Sequence, residues 1–162
     1  MTRNAIDKGS PQARLVMQMI DASLDNNFDR LDSLMGQVGS DYGIVFWNLI
    51  VVVGGTIQAI ANYAGQIFEV VLAGLLTQMA ERTDSMDAAD VARQALTAWS
   101  SGDNELVASL GFDAEIQRVG PESVLLHLLA MLGVIGRSWA NQAGFSMEEI
   151  RAGWGTALGT PD

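Results

Sequence analysis

The chain of 162 residues has no cysteine, three prolines, one histidine and one lysine. Each shortage excludes something. Without cysteine there is no disulfide framework, and no thiolate can serve as nucleophile or metal ligand. That suits a cytoplasmic protein, which is the location expected here. Three prolines leave long stretches free of helix breakers. The lone His127 sits in LLHLLAML, with neither an H-x-x-x-H nor an E-x-x-H partner, so no metal and no cofactor is expected. No Gly-rich phosphate loop, G-x-S-x-G elbow or zinc-protease signature occurs, so no catalytic residue is assigned and the expected protein is not an enzyme.

Positive charge is also scarce. Nine Lys and Arg face nineteen Asp and Glu, a net charge of −10. Such a surface repels phosphate backbones, which argues against direct nucleic-acid binding and favours basic proteins or cations as partners.

What is abundant is apolar: 49% of residues are hydrophobic. Between residues 43 and 80 the only charge is Glu69, and GIVFWNLIVVVGGTIQAIA is long enough to weigh as a membrane span. Asn48, Thr56 and Gln58 interrupt it, and no Lys or Arg lies between Arg30 and Arg82, so positive flanks are missing. We read it as a buried central helix in preference to a span, with a membrane protein kept as the minor alternative.

Local signals predict an all-α chain of eight or nine helices forming one helical domain over residues 1–162. Ser10-Pro11 caps a first helix to about residue 24. Asp25-Asn26-Asn27 breaks the chain before a second, which carries Leu31 and Leu34. A long apolar third helix covers about 42–64, and Gly65 stops it in a left-handed turn. Joined to the fourth helix it would span roughly 60 Å, too long for a chain of this size, so a break is expected there. The second half starts near Asp84-Ser85. Gly102-Asp103 and Gly111 then delimit two short helices, Pro121 opens a second long apolar helix, and Gly144 ends it. Ser146 to Glu149 form a capping box for the last helix.

The halves resemble each other. ANYAG at 61–65 answers ANQAG at 140–144, and at an offset of 79 ten of 30 positions match between 45–74 and 124–153. This reads as a tandem duplication with units 11–83 and 84–158. A unit of about 80 residues is too small to cover so apolar a helix, so each long helix should shelter the other. Gly54, Gly55, Gly133 and Gly136 are candidates for bringing those two backbones close.

Three function classes follow. The first is a helical interaction or structural module that binds itself, as a homodimer or higher oligomer, or another protein. Its expected interface is surplus apolar surface at Phe68, Leu72, Leu75, Leu76 and Trp154. The second is a binder of an apolar small molecule between the long helices. Trp47, Trp99, Trp139 and Trp154, with Phe46, Tyr63 and Met131, are candidate pocket residues; a closed cavity ringed by Trp47, Met131 and Trp139 is expected, with His127 and Glu69 as polar candidates. The third is an acidic decoy of a nucleic-acid-binding surface, using Asp21, Asp25, Asp29 and Asp32 at spacings of four, four and three.

Overall fold

A computed structural model describes residues 7–79, 86–116 and 121–160, without the side chains of residues 86, 113–116 and 121. The described residues are all-helical, with eight α-helices and no strand. They are α1 (Pro11–Leu24), α2 (Phe28–Met35), α3 (Tyr42–Ala64), α4 (Phe68–Met79), α5 (Met86–Ser100), α6 (Asn104–Ile116), α7 (Pro121–Ala143) and α8 (Met147–Leu158). A single 3₁₀ turn, Gly39–Asp41, leads into α3.

The helix ends follow their punctuation. Ser10 Oγ accepts the Ala13 N–H, with proline at the first helical position. Asn27 caps α2 by accepting the Arg30 N–H, and Asp103 caps α6 by accepting that of Leu106. Gly65 and Gly144 sit at φ +66° and +75°, and the residue after each closes back on the carbonyl of Ala61 or Ala140. Ser146 takes the Glu149 N–H at 3.1 Å while the Glu149 carboxylate accepts the Ser146 N–H at 3.2 Å, a complete capping box.

Two expectations need correction. The chain from Asn104 to Ile116 is one helix, not two, and Gly111 does not end it. A Cβ on Gly111 would stand 2.7 Å from Phe46 Cδ1, so this glycine lets α6 press onto α3. Nor do the other interior glycines serve the seam between α3 and α7. Gly54 receives the ring of Trp99 from α5, and Gly136 receives that of Trp154 from α8. Gly55 faces open space, and a Cβ on Gly133 would meet the Arg137 guanidinium at 3.3 Å.

The core is built around α3 and α7, whose mutual contact is the most extensive of any helix pair. Val45, Leu49, Val53 and Ile57 of α3 and Val124, Leu128, Met131 and Leu132 of α7 are almost wholly withdrawn from solvent. Their C-terminal ends lie together: Tyr63 Oη donates to the Gln142 carbonyl at 3.2 Å and its ring meets Trp139 edge-on. Both helices are long and apolar enough to cross a membrane, yet about two thirds of each apolar window is buried against other helices.

The geometry repeats along the chain. The bounds of α7 and α8 are those of α3 and α4 advanced by 79 residues. Thr77 and Thr156, also 79 apart, each donate to the carbonyl four residues back. Upstream the correspondence is at 76: the turn at Asn26-Asn27 has its counterpart at Gly102-Asp103, with matching hydrogen bonds from Asn27 N–H to the Ala22 carbonyl and from Asp103 N–H to that of Ala98. Packing repeats too. α1 rests on α2 and α3 as α5 rests on α6 and α7, and α4 and α8 each lie on one long helix and touch the other. The exception is α6, which packs on both α3 and α7, while α2 makes no comparable contact with either.

Candidate functional site

A groove of about 530 Å³ opens where α3, α5, α7 and α8 meet. Its walls carry Val51, Val52, Gly55 and Ala59 of α3, Trp99 of α5, Trp139 of α7, and Ile150, Gly153 and Trp154 of α8, with Phe145 at the α7–α8 turn. The local sequence explains the walls. Gly54 lets Trp99 lie flat on α3, and Gly136 lets Trp154 lie on α7. Gly55 and Gly153 leave the space between empty, since a Cβ on either would touch nothing. Trp154 is fixed at its far edge, where Nε1 donates to Thr56 Oγ1 at 3.0 Å.

Two polar side chains on these walls, Thr56 and Glu149, are already engaged. Thr56 accepts from Trp154 and donates to the Val52 carbonyl at 2.8 Å. Glu149 is held in the capping box and also accepts from the Ser146 hydroxyl. No cation stands among the lining residues. The groove therefore offers aromatic and aliphatic surface, with Glu149 as its one charged side chain and no cation to recognise an anion. At its mouth Trp139 is flanked by Tyr63 and Phe145, ring centroids 5.1 and 5.8 Å away, and both flanking rings are exposed.

The expected ring of Trp47, Met131 and Trp139 is not formed. Trp139 lines the groove, Met131 is fully buried, and Trp47 lies in a separate hollow between α3 and α6 beside Val107 and Ala108. Trp47 precedes Tyr63, the neighbour of Trp139, by 16 helical residues, about 24 Å along the axis. Glu69 is exposed in the first turn of α4, away from any of these walls. Sequence reasoning missed Val51, Gly55 and Phe145. The first two had a signal, since a glycine beside small and β-branched residues on one helix face leaves a depression.

The expected interface residues are core instead. Phe68, Leu72, Leu75 and Trp154 are at most 5% exposed, and Leu76 is packed partly against the core. The closing helices turn these side chains inward onto α3, α5 and α7, with Phe68 against Trp99. The exposed apolar residues are others, among them Tyr63, Ile67, Val70 and Phe145.

The acidic stripe is divided. Asp21 is on α1, Asp25 is its C-terminal cap residue, and Asp29 and Asp32 are on α2 beyond the turn at Asn26, where φ is +54°. Asp21 is also committed to Arg151 of α8, through contacts of 2.5 and 2.8 Å.

His127 lines a third hollow, a cleft of about 370 Å³ bordered by the ends of α1 and α4, the starts of α2 and α5 and one face of α7. Its ring is 8% exposed and Nε2 has no hydrogen-bond partner. Burial pushes the imidazole pKa below its ordinary value and favours the neutral form. Among the described residues no group of three His, Asp or Glu comes together as metal ligands. The chain matches no protein-family model, no curated protein and no solved structure.

Proposed function

We propose that this protein is a non-catalytic carrier or sensor that binds a small, neutral, apolar molecule in the groove between Trp99, Trp139 and Trp154. One observation carries this reading: a preformed hollow of ligand size whose Thr56 and Glu149 side chains are already hydrogen-bonded within the protein. Such a surface rewards burial of apolar area, at about 25 cal/mol per Å², and, having no cation, gives an anion nothing in return for its lost hydration. Titration with 1-decanol or a polycyclic hydrocarbon should shift the tryptophan emission. The variant Ala59→Phe, which fills the groove from α3, should abolish the shift while leaving the helical circular dichroism intact. Unchanged emission across both ligand types would remove the proposal.

A second reading is self-association at the same end of the molecule. Tyr63, Phe145 and Ile67 are 61%, 44% and 62% exposed, which favours a covering partner. Sedimentation at high micromolar concentration tests it, and a monomer there rules it out.

The chain further reads as one domain made by tandem duplication of units 11–83 and 84–158, joined as a helical bundle through α3 and α7. The repeated helix bounds, glycine stops and turn hydrogen bonds support this. The burial of both long helices favours a soluble protein over a membrane-spanning one, and the cytoplasm is the compartment proposed for it. Recovery without detergent is the corresponding test.

A further inference from the structure

We infer that the His127 cleft is a second ligand site, made for a small amphipathic carboxylate whose apolar body lies on Phe28, Leu126 and Val134 and whose carboxylate meets Arg137. The cleft exists because the repeat is broken there. In the second half, Trp99 of α5 fills the space over Gly54 of α3. Counting back 76 residues along the matching turns puts Ser23 at the place of Trp99, and 79 residues on from Gly54 is Gly133. Ser23 and Gly133 both line the cleft, so a hydroxymethyl group stands where its counterpart is an indole. The second break adds to the first. α6 closes on α3, but α2 does not close on α7, which leaves Phe28 66% and Leu126 39% exposed across the opening.

The lining chemistry selects the ligand. The Arg137 guanidinium folds back over Gly133, where a Cβ would stand 3.3 Å from its Nη1. Among the described residues it makes no ion pair and no hydrogen bond, in a chain with ten more acidic than basic residues. Among the described lining residues there is no Asp or Glu to neutralise it, and burial favours the neutral form of His127. One unpaired cation beside apolar walls fits one anionic group on an apolar body, and a guanidinium matches a carboxylate in bidentate geometry. The groove, which has no cation, has the opposite preference.

Decanoate titrated into the full chain by calorimetry, with 1-decanol as the neutral control and amide shifts to locate each, tests this. Decanoate should bind and perturb the amides of Ser23, Ala130 and Val134. Arg137→Gln should weaken it by about tenfold or more, consistent with loss of a charged hydrogen bond. Arg137→Lys should fall between, and Ala130→Trp should block the cleft. Arg137 is exposed, so these changes leave the fold standing. Decanol binding should ignore Arg137. If decanol and a polycyclic hydrocarbon both fail while decanoate behaves as described, the groove reading falls and the cleft survives. Absence of decanoate binding at millimolar concentration, equal binding to wild type and Arg137→Gln, or shifts confined to Val51, Gly55 and Gly153 would overturn the inference.

Discussion

At the scale of the residue, the informative positions are those where a ring meets a glycine. Gly54→Ala would drive a methyl group to 2.5 Å from Trp99 Cε3, and Gly136→Ala would place one 2.6 Å from Trp154 Cη2. Each should destabilise by about 1–3 kcal/mol, the usual cost of overpacking, despite the better helix propensity of alanine. Gly74→Ala, which meets open space on α4, should instead stabilise by up to about 1 kcal/mol. Denaturant midpoints for the three variants check both signs. His127 gives a pH-dependent prediction. Its folded pKa is lowered, so below the ordinary value near 6.5 the unfolded chain takes up a proton that the folded chain resists. The contribution is present above that pH and is lost as pH falls through it. His127→Leu should flatten this part of the stability profile between pH 7.5 and 5.5. It should also raise stability at neutral pH by about 1 kcal/mol, because an unpartnered buried nitrogen is removed.

At the scale of the element, helix ends are legible in sequence and helix faces are less so. Ser10-Pro11, Gly65, Gly144 and the Ser146–Glu149 box act through neighbours within five residues, so their chemistry is visible in a short window. Ser146→Ala should cost about 1 kcal/mol in global stability, measured by chemical denaturation, and Glu149→Gln should cost less because an amide oxygen still accepts. Gly111 misleads for the opposite reason. Its cause is Phe46, 65 residues away, and nothing local separates a glycine that stops a helix from one that admits a ring. The same distance hides the roles of Phe68, Leu72 and Trp154. An apolar closing helix looks like surplus surface until the helices it covers are in place. Trp99, Trp139 and Trp154 converge on the groove from three helices, so sequence can nominate the aromatic set but cannot separate Trp47 from it.

At the scale of the whole molecule, the two halves should stand or fall together. α3 and α7 contact each other more extensively than either contacts any other single helix, α1 reaches α7, α5 reaches α3, and Asp21 of α1 is clamped to Arg151 of α8. Cutting the chain between α4 and α5 would expose the inner faces of both long helices, with Val53, Ile57, Leu128 and Met131 among the side chains newly in water. Exposing several such residues costs about 1.5–3 kcal/mol each, which rivals the 5–15 kcal/mol that holds a typical domain folded. Equilibrium unfolding of the intact chain should therefore show one transition, with tryptophan emission and far-ultraviolet circular dichroism superimposable. The tryptophans divide one to three between the halves, Trp47 in the first and the others in the second. Substituting Trp99, Trp139 and Trp154 by Phe leaves Trp47 to report on the first half alone. Its midpoint should coincide with that of the dichroism signal in the same variant; a Trp47 transition at a separate denaturant concentration would mean that the first half holds its core without the second.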